Sequence, residues 1–185
     1  MRLFTAVDPA PEVLDRLCRL VSRLQPAAPL RWSRSDGLHI TLKFIGEWPA
    51  EKLALLEQAL RSVPAPAPFP VHVRRLGFFP PAGAPRVFWA GVDPCTELAQ
   101  LAAHIDKALE PLGAAPEQRP YHPHLTLARI ADRRGGERLR DALQAEGTPD
   151  FGAFLADRFF LYESRPGPGG SVYARLGEFP WSGEV

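Results

Sequence analysis

Leu38-His-Ile-Thr-Leu-Lys-Phe-Ile-Gly46 and His122-Pro-His-Leu-Thr-Leu-Ala-Arg129 decide how this chain folds. In each, apolar and polar residues alternate, the period of a strand buried on one face. Residues two apart on a strand project from the same side. His39 and Thr41 therefore point together, with Leu38, Ile40 and Leu42 behind them, and His124 and Thr126 do the same against Leu125 and Leu127. By the same alternation Lys43 shares the face of His39, whereas Arg129 turns away from His124 unless a bulge or the strand end re-aims it.

A shift of 85 residues carries one stretch onto the other, His39 to His124, Thr41 to Thr126 and Leu42 to Leu127. Extended outward without gaps, it takes Val7-Asp-Pro9 to Val92-Asp-Pro94, Leu24 to Leu109 and Pro26 to Pro111. The pattern reads as an internal duplication of a strand, helix, strand, helix unit. In the first copy, Leu3 to Val7 is a strand, with Asp8 as N-cap and Pro9 in the first turn of a helix over residues 9–24. Val13, Leu14, Leu17, Leu20, Val21 and Leu24 recur along it at helical spacing. The motif strand follows, closed by Gly46, and then a helix from Pro49 to Ser62. Proline-rich Pro64 to Pro70 is a connector, with strands at 69–77 and 86–92 around the turn-rich Pro80 to Pro85. The second copy has its helix at 93–112, its strand at 122–130 and a helix at 136–145. Phe154 to Glu163 and Ser171 to Leu176 are predicted strands, joined as a hairpin by a long, mobile Pro166-Gly-Pro-Gly-Gly170. The expected fold class is α+β: two pseudo-symmetric lobes with antiparallel sheets lining a central cleft and helices outside. One unit of residues 1–185 is expected, with copies at about 1–62 and 86–146 and strands 154–176 completing the sheets.

Composition narrows the function. The 185 residues are 45% apolar and 23% charged with a net charge of +1, ordinary for a globular chain with a sizeable core. So even a balance argues against coating long nucleic acids by phosphate neutralisation, while leaving a short end or small molecule open. Cys18 and Cys95 form no metal-type spacing and indicate neither a disulfide framework nor a zinc site. The start of the chain does not read as a signal sequence, and no run reaches transmembrane length, so a soluble cytoplasmic protein is expected, without membrane or obligate protein partner, as a monomer. No P-loop is present, because glycine-rich Pro166 to Gly170 lacks the Lys-Ser/Thr ending. No cofactor is expected.

If the duplicated lobes face each other, each presents one imidazole and one hydroxyl to the cleft. Paired imidazoles divide labour: the neutral one takes a proton from a nucleophile while the charged one gives a proton to a leaving oxygen. Hydroxyls beside them suit the non-bridging oxygens of a phosphodiester, where charge builds up. A lone His-x-Thr is weak evidence; two at equivalent positions of a repeat, persisting where neighbours diverged, form a site. A three-imidazole metal site from His39, His122 and His124 is the competing reading, but no Asp, Glu or Cys stands at a neighbouring ligand position. A non-catalytic RNA-end or nucleotide-binding module is the rival from another class. Phe44, Trp32, Phe79 and Tyr121 are candidates for stacking a terminal base. His72 and His104 lack a partner motif.

The two motif segments, the opening Leu-Phe-Thr-Ala-Val and the Arg31-Trp-Ser tract closely resemble the 2H phosphoesterase superfamily. Within it they are most similar to the RNA 2′,3′-cyclic phosphodiesterases, historically called 2′-5′ RNA ligases. The resemblance covers nearly the whole chain. It implies metal-independent hydrolysis of RNA 2′,3′-cyclic phosphate ends, or of cyclic nucleotides, to 2′-phosphomonoesters. It further implies His39 as proton donor to the 3′ oxygen and His124 as base toward water, with Thr41, Thr126 and Arg129 on the phosphate. Lys43 is a candidate auxiliary cation. Reversible 2′-5′ RNA ligation would be the back reaction at the same site. The pseudo-symmetry alone does not say which histidine is the acid.

Overall fold

The computed structural model describes residues 1–64, 66–167 and 170–181. Nine strands and four α-helices are found among them: β1 (Arg2–Val7), α1 (Pro11–Leu24), β2 (Arg31–Trp32), β3 (Ile40–Glu47), α2 (Leu53–Arg61), β4 (Phe69–Phe79), β5 (Val87–Val92), α3 (Thr96–Leu109), β6 (His124–Arg129), α4 (Arg133–Leu143), β7 (Asp150–Ala156), β8 (Arg158–Gly167) and β9 (Gly170–Pro180). All strand pairs are antiparallel, in the order β7-β4-β5-β6-β3-β1-β8-β9, with β2 on β6. This is the expected α+β class, and the order reads symmetrically from its centre. Around the β6–β3 joint, β5 answers β1, β4 answers β8 and β7 answers β9.

The joint itself is one residue pair, Ile40 with Leu125, both fully buried. These two are equivalent under the shift of 85, so the pseudo-two-fold axis passes through them. Burying side chains of this size stabilises by about 1.5–3 kcal/mol each. Beyond the joint β3 and β6 part, and β2 occupies the vacated edge of β6, pairing Arg31 with Arg129 and Trp32 with Ala128. The parting opens the cleft. The copies are not identical in register: Val7 faces Ile40, but Ala90, not Val92, faces Leu125. A slip of two residues leaves each side chain on its original face, which is why it is tolerated.

Helices pack across the duplication. α1 lies against β7 and α4 of the second half, α3 against β3 of the first, and α2 against α3 and β9. Arg16 of α1 donates to the Phe151 carbonyl of β7 at 3.1 Å. On α1 the predicted stripe is buried at Val13, Leu17, Leu20, Val21 and Leu24, and on α3 at Leu98, Leu101, Ile105 and Leu109. Neither copy could bury its helix alone. No helix among the described residues is long and apolar enough to cross a membrane.

Three local expectations are corrected. Asp8 does not cap α1: the helix starts at Pro11 after Ala10, and Asp8 instead accepts from the Tyr162 hydroxyl at 2.7 Å and Arg175 at 2.8 Å. A half-buried carboxylate prefers these two donors to the exposed first turn. Phe154 to Glu163 is two strands broken at Asp157; β7 completes the second half by pairing β4, and β8 the first by pairing β1. The apolar run is continuous because both strands are core, so composition hides the break. Finally, β8 and β9 pair out to Gly167 and Gly170, leaving no long loop; Pro168 and Gly169 of the expected loop lie outside the described residues.

Candidate active site

His39 immediately precedes β3 and His124 opens β6. Along both strands the alternation breaks at the residue after the threonine, and on β3 it breaks again at Ile45, since Phe4 faces Phe44 but Leu3 faces Gly46. Ala6 faces Thr41 and Thr5 faces Lys43, so Leu42 is an extra residue; Trp89 faces Thr126 and Phe88 faces Ala128, so Leu127 is its counterpart. Those at Leu42 and Leu127 are equivalent β-bulges, each of which swaps the faces of the residues that follow it, on β3 as far as Ile45. The bulge that Arg129 requires is thus present, and Arg129 lines the cleft with His124 and Thr126. On β3 the same device brings Phe44 into the cleft and turns Lys43 out.

Lys43 is the site residue that the structure removes. It is buried, ion-paired to Asp106 of α3 and donates to the Ala115 carbonyl at 2.8 Å. Strict alternation put it beside His39, and the Leu42 bulge overrides that alternation.

His39, Thr41, His124, Thr126, Arg129 and Phe44 share one cavity of about 350 Å³. It opens into a wider one of about 840 Å³ that shares Arg2, Ser33, Arg129 and Tyr173 with it. Each imidazole is held the same way: His39 Nδ1 lies 2.9 Å from the Gly37 carbonyl, and His124 Nδ1 lies 2.7 Å from the His122 carbonyl. A carbonyl oxygen only accepts, so Nδ1 carries the hydrogen and Nε2 is the nitrogen free to exchange a proton. Burial holds both imidazoles below the usual histidine range, His39 down to about 4, with the other histidine and Arg129 adding to the effect. His124 is lowered first by burial and then by the positive charges of His122 and Arg129. Both rings are therefore poised toward the neutral form, and an anion between them would restore the imidazolium.

The bulges are pinned from across the cleft. The Ser33 backbone N–H donates to the Leu127 carbonyl at 2.8 Å and its hydroxyl to the Thr126 carbonyl at 2.7 Å. Tyr121 donates its hydroxyl to the Thr41 carbonyl at 3.0 Å. Each motif strand is thus held by a hydroxyl from the segment leading into the other. Tyr121 is a latch, not a stacking surface, and Trp32 is packed edge-on to Phe88 with its indole N–H on the Ala28 carbonyl. Phe79 sits edge-on to His124 at 5.0 Å. Of the four aromatic candidates Phe44, 61% exposed, is the one that lines the inner cavity.

Sequence reasoning missed the stack that supports His39. Phe4 lies 4.7 Å from its ring, Tyr162 stacks on Phe4, and Tyr173 meets His39 edge-on at 5.1 Å. Phe4 could have been found only from the β1–β3 pairing, and the two tyrosines only from the β8–β9 hairpin folding back on β1. His72 hydrogen-bonds Asp150 at the surface, far along the sheet, and belongs to no site. No group of three or more His, Cys, Asp or Glu side chains among the described residues is arranged to hold a metal, so the three-imidazole reading has no donor cluster behind it.

Known proteins resemble this chain over nearly its whole length. The sequence profile of the 2′-5′ RNA ligase superfamily matches residues 6–168. A protein of Archaeoglobus fulgidus named RNA 2′,3′-cyclic phosphodiesterase is 32% identical over 97% of this chain and 99% of its own. One of the same name from Thermus thermophilus is 33% identical over 100% of this chain and 92% of its own. Among solved structures, Escherichia coli LigT complexed with 3′-AMP superposes with a TM-score of 0.79 at 27% identity, covering 98% of both chains. The chain belongs to the 2′-5′ RNA ligase superfamily, that of the 2H phosphoesterases.

Proposed function

We propose that the protein is an RNA 2′,3′-cyclic phosphodiesterase whose two histidines are a metal-independent acid/base pair. The observation that carries this is the matched pair of imidazoles, each fixed through Nδ1 to a backbone carbonyl with Nε2 left free in one cavity. In the reaction, His124 takes a proton from water as the water oxygen bonds to phosphorus. The bond from phosphorus to the 3′ oxygen breaks, and His39 gives its proton to that oxygen, leaving a 2′-phosphomonoester and a free 3′ hydroxyl. The Thr41 and Thr126 hydroxyls and the Arg129 guanidinium hold the non-bridging oxygens as their charge grows.

This division depends on the charge of the substrate. His39 is the more deeply buried ring, so its imidazolium is a strong acid toward a poor leaving group, and the cyclic phosphate anion helps hold its proton until transfer. No step calls for a metal or cofactor. Phe44 offers a face for the terminal base, and cyclic nucleotides fit the same chemistry. The names of the Archaeoglobus fulgidus and Thermus thermophilus relatives agree with the substrate class, since each is called an RNA 2′,3′-cyclic phosphodiesterase. Reversible 2′-5′ ligation would use the same groups, with the 5′ hydroxyl of a second RNA in place of water. We place the protein in the cytoplasm as a monomer acting on RNA ends without a membrane or protein partner.

The test is incubation with an RNA bearing a 2′,3′-cyclic phosphate, with and without EDTA, and identification of the phosphate position in the product. A 2′-phosphomonoester formed at the same rate in both is expected. A 3′-phosphate, chelator-sensitive turnover, or binding of the RNA without any product would overturn the reading, the last in favour of an RNA-end binding module.

A further inference from the structure

Arg31 and Arg129 face each other directly across the β2–β6 pair, and both are exposed to the wider cavity outside the histidines. Like charges directly opposite on paired strands are destabilising, so a fold has no reason to place them there for its own sake. Nearby cations are neutralised: Arg34 pairs with Asp36 at 2.9 Å and Arg165 with Glu163 at 2.5 Å. Arg31, Arg129 and Arg2, which lines the same cavity, have no carboxylate within ion-pair distance among the described residues. Three unpaired guanidiniums around one concave surface form an anion site waiting for charge.

The site is also one-sided. Under the shift of 85 the counterpart of Arg129 is Phe44 and that of Arg31 is Pro116, so the duplication did not supply this pair of cations. Arg31 is held in place by its neighbours, since Trp32 pairs Ala128 and Ser33 is tied twice to β6. Arg129 lines both cavities, whereas Arg31 lines the outer one alone. The pair therefore begins where the acid/base site ends.

We infer that Arg31 and Arg129 form a subsite for a second phosphate, the one on the 5′ oxygen of the terminal nucleoside, so that the enzyme reads an RNA end in preference to a lone cyclic nucleotide. This rests on the proposed action at cyclic phosphates. Arg129 then grips the reacting phosphate and its neighbour together, and Arg31 commits to the neighbour.

The experiment compares kcat/KM on three substrates: adenosine 2′,3′-cyclic phosphate, the dinucleotide ending in the same group, and that dinucleotide with an uncharged methylphosphonate link. For the wild-type protein the charged dinucleotide is expected to exceed the other two by about tenfold or more, as for one charge-assisted contact. In Arg31→Gln the ratio of charged to uncharged dinucleotide should fall to near one. A wild-type ratio near one, or a ratio that Arg31→Gln leaves unaltered, would overturn the subsite. Equal preference for adenosine 5′-phosphate 2′,3′-cyclic phosphate would place the recognition on the phosphate itself, as the inference requires. Should the wild-type protein turn over none of them, hydrolysis is refuted, and the two dinucleotides carrying a terminal 2′-phosphate then test the subsite by competition binding, with the same ratio and the same loss expected. In that assay the binding of the charged dinucleotide should also fall with salt more steeply than in Arg31→Gln, by about 0.7 in log–log slope for one phosphate. Equal binding of both dinucleotides would overturn it there too.

Discussion

Residues 39–45 and 124–130 run through the same sequence of environments: half-buried His, buried apolar, half-buried Thr, two buried residues, an exposed one and a buried one. Both carry a bulge at the leucine after the threonine, and both fix Nδ1 of the histidine on a carbonyl two residues back. Apart from the exchange of Ile40 for Leu125, they part at two neighbouring positions. Lys43 answers Ala128 and Phe44 answers Arg129. In the proposed mechanism the common features give the cleft its two proton carriers. The differences give it direction, with an aromatic wall on one side and a cationic wall on the other. In the proposed mechanism symmetry supplies the chemistry, and its breaking supplies the orientation of the substrate.

The comparison breaks most severely at the histidines. His39→Ala and His124→Ala are each expected to lower kcat by about 10²- to 10⁴-fold, with the double variant costing little more than either, because members of one acid/base unit are strongly non-additive. Steady-state rates on a cyclic-phosphate RNA would show this; losses that multiply would mean two independent roles. Thr41→Val and Thr126→Val keep shape while removing the hydroxyl, and each should lower kcat/KM by about ten- to a hundredfold, as for a lost hydrogen bond to developing charge. Roughly equal losses are what the duplicated geometry demands.

Further out the halves are pinned differently. Tyr121→Phe and Ser33→Ala each release one threonine carbonyl, and each should cost about 0.5–1.5 kcal/mol in chemical denaturation. A several-fold drop in kcat should accompany both if the bulge they hold aims the catalytic groups. The smallest effect on turnover is expected at Lys43, the position that alternation had put in the cleft. Lys43→Met leaves Asp106 without its buried partner, costing about 1–3 kcal/mol of stability. Turnover should be conserved within about twofold, because the side chain faces α3. A large loss of kcat in a folded Lys43→Met protein would return it to the site.

The duplication was legible because a constant offset aligned helix punctuation with functional residues, and it carried both histidines and both threonines correctly to one cavity. Leu42 and Leu127 show where that reading runs out. Nothing in Thr-Leu-Lys or Thr-Leu-Ala marks a bulge, since an inserted leucine between two strand residues is still an apolar strand residue. The bulge becomes visible only against a partner strand, which is why Lys43 was misplaced and Arg129 needed a device to be named for it. The break at Asp157 was hidden for a related reason: both strands it separates are buried, and their partners lie at opposite ends of the sheet. Phe4 and Tyr173 reach His39 through long-range pairing, for which no local pattern exists.

The most direct test of the paired-histidine account is the pH dependence of kcat/KM on a cyclic-phosphate RNA in the presence of EDTA. The free protein needs one ring protonated and one neutral. With His39 near 4 and His124 lowered from the usual histidine range, activity should rise as pH climbs through about 4 and fall again before neutrality. The bell for kcat should sit at higher pH, because the bound phosphate anion favours imidazolium. A profile that is flat, or has a single limb, between about pH 3 and 8 would contradict an acid and a base of this kind.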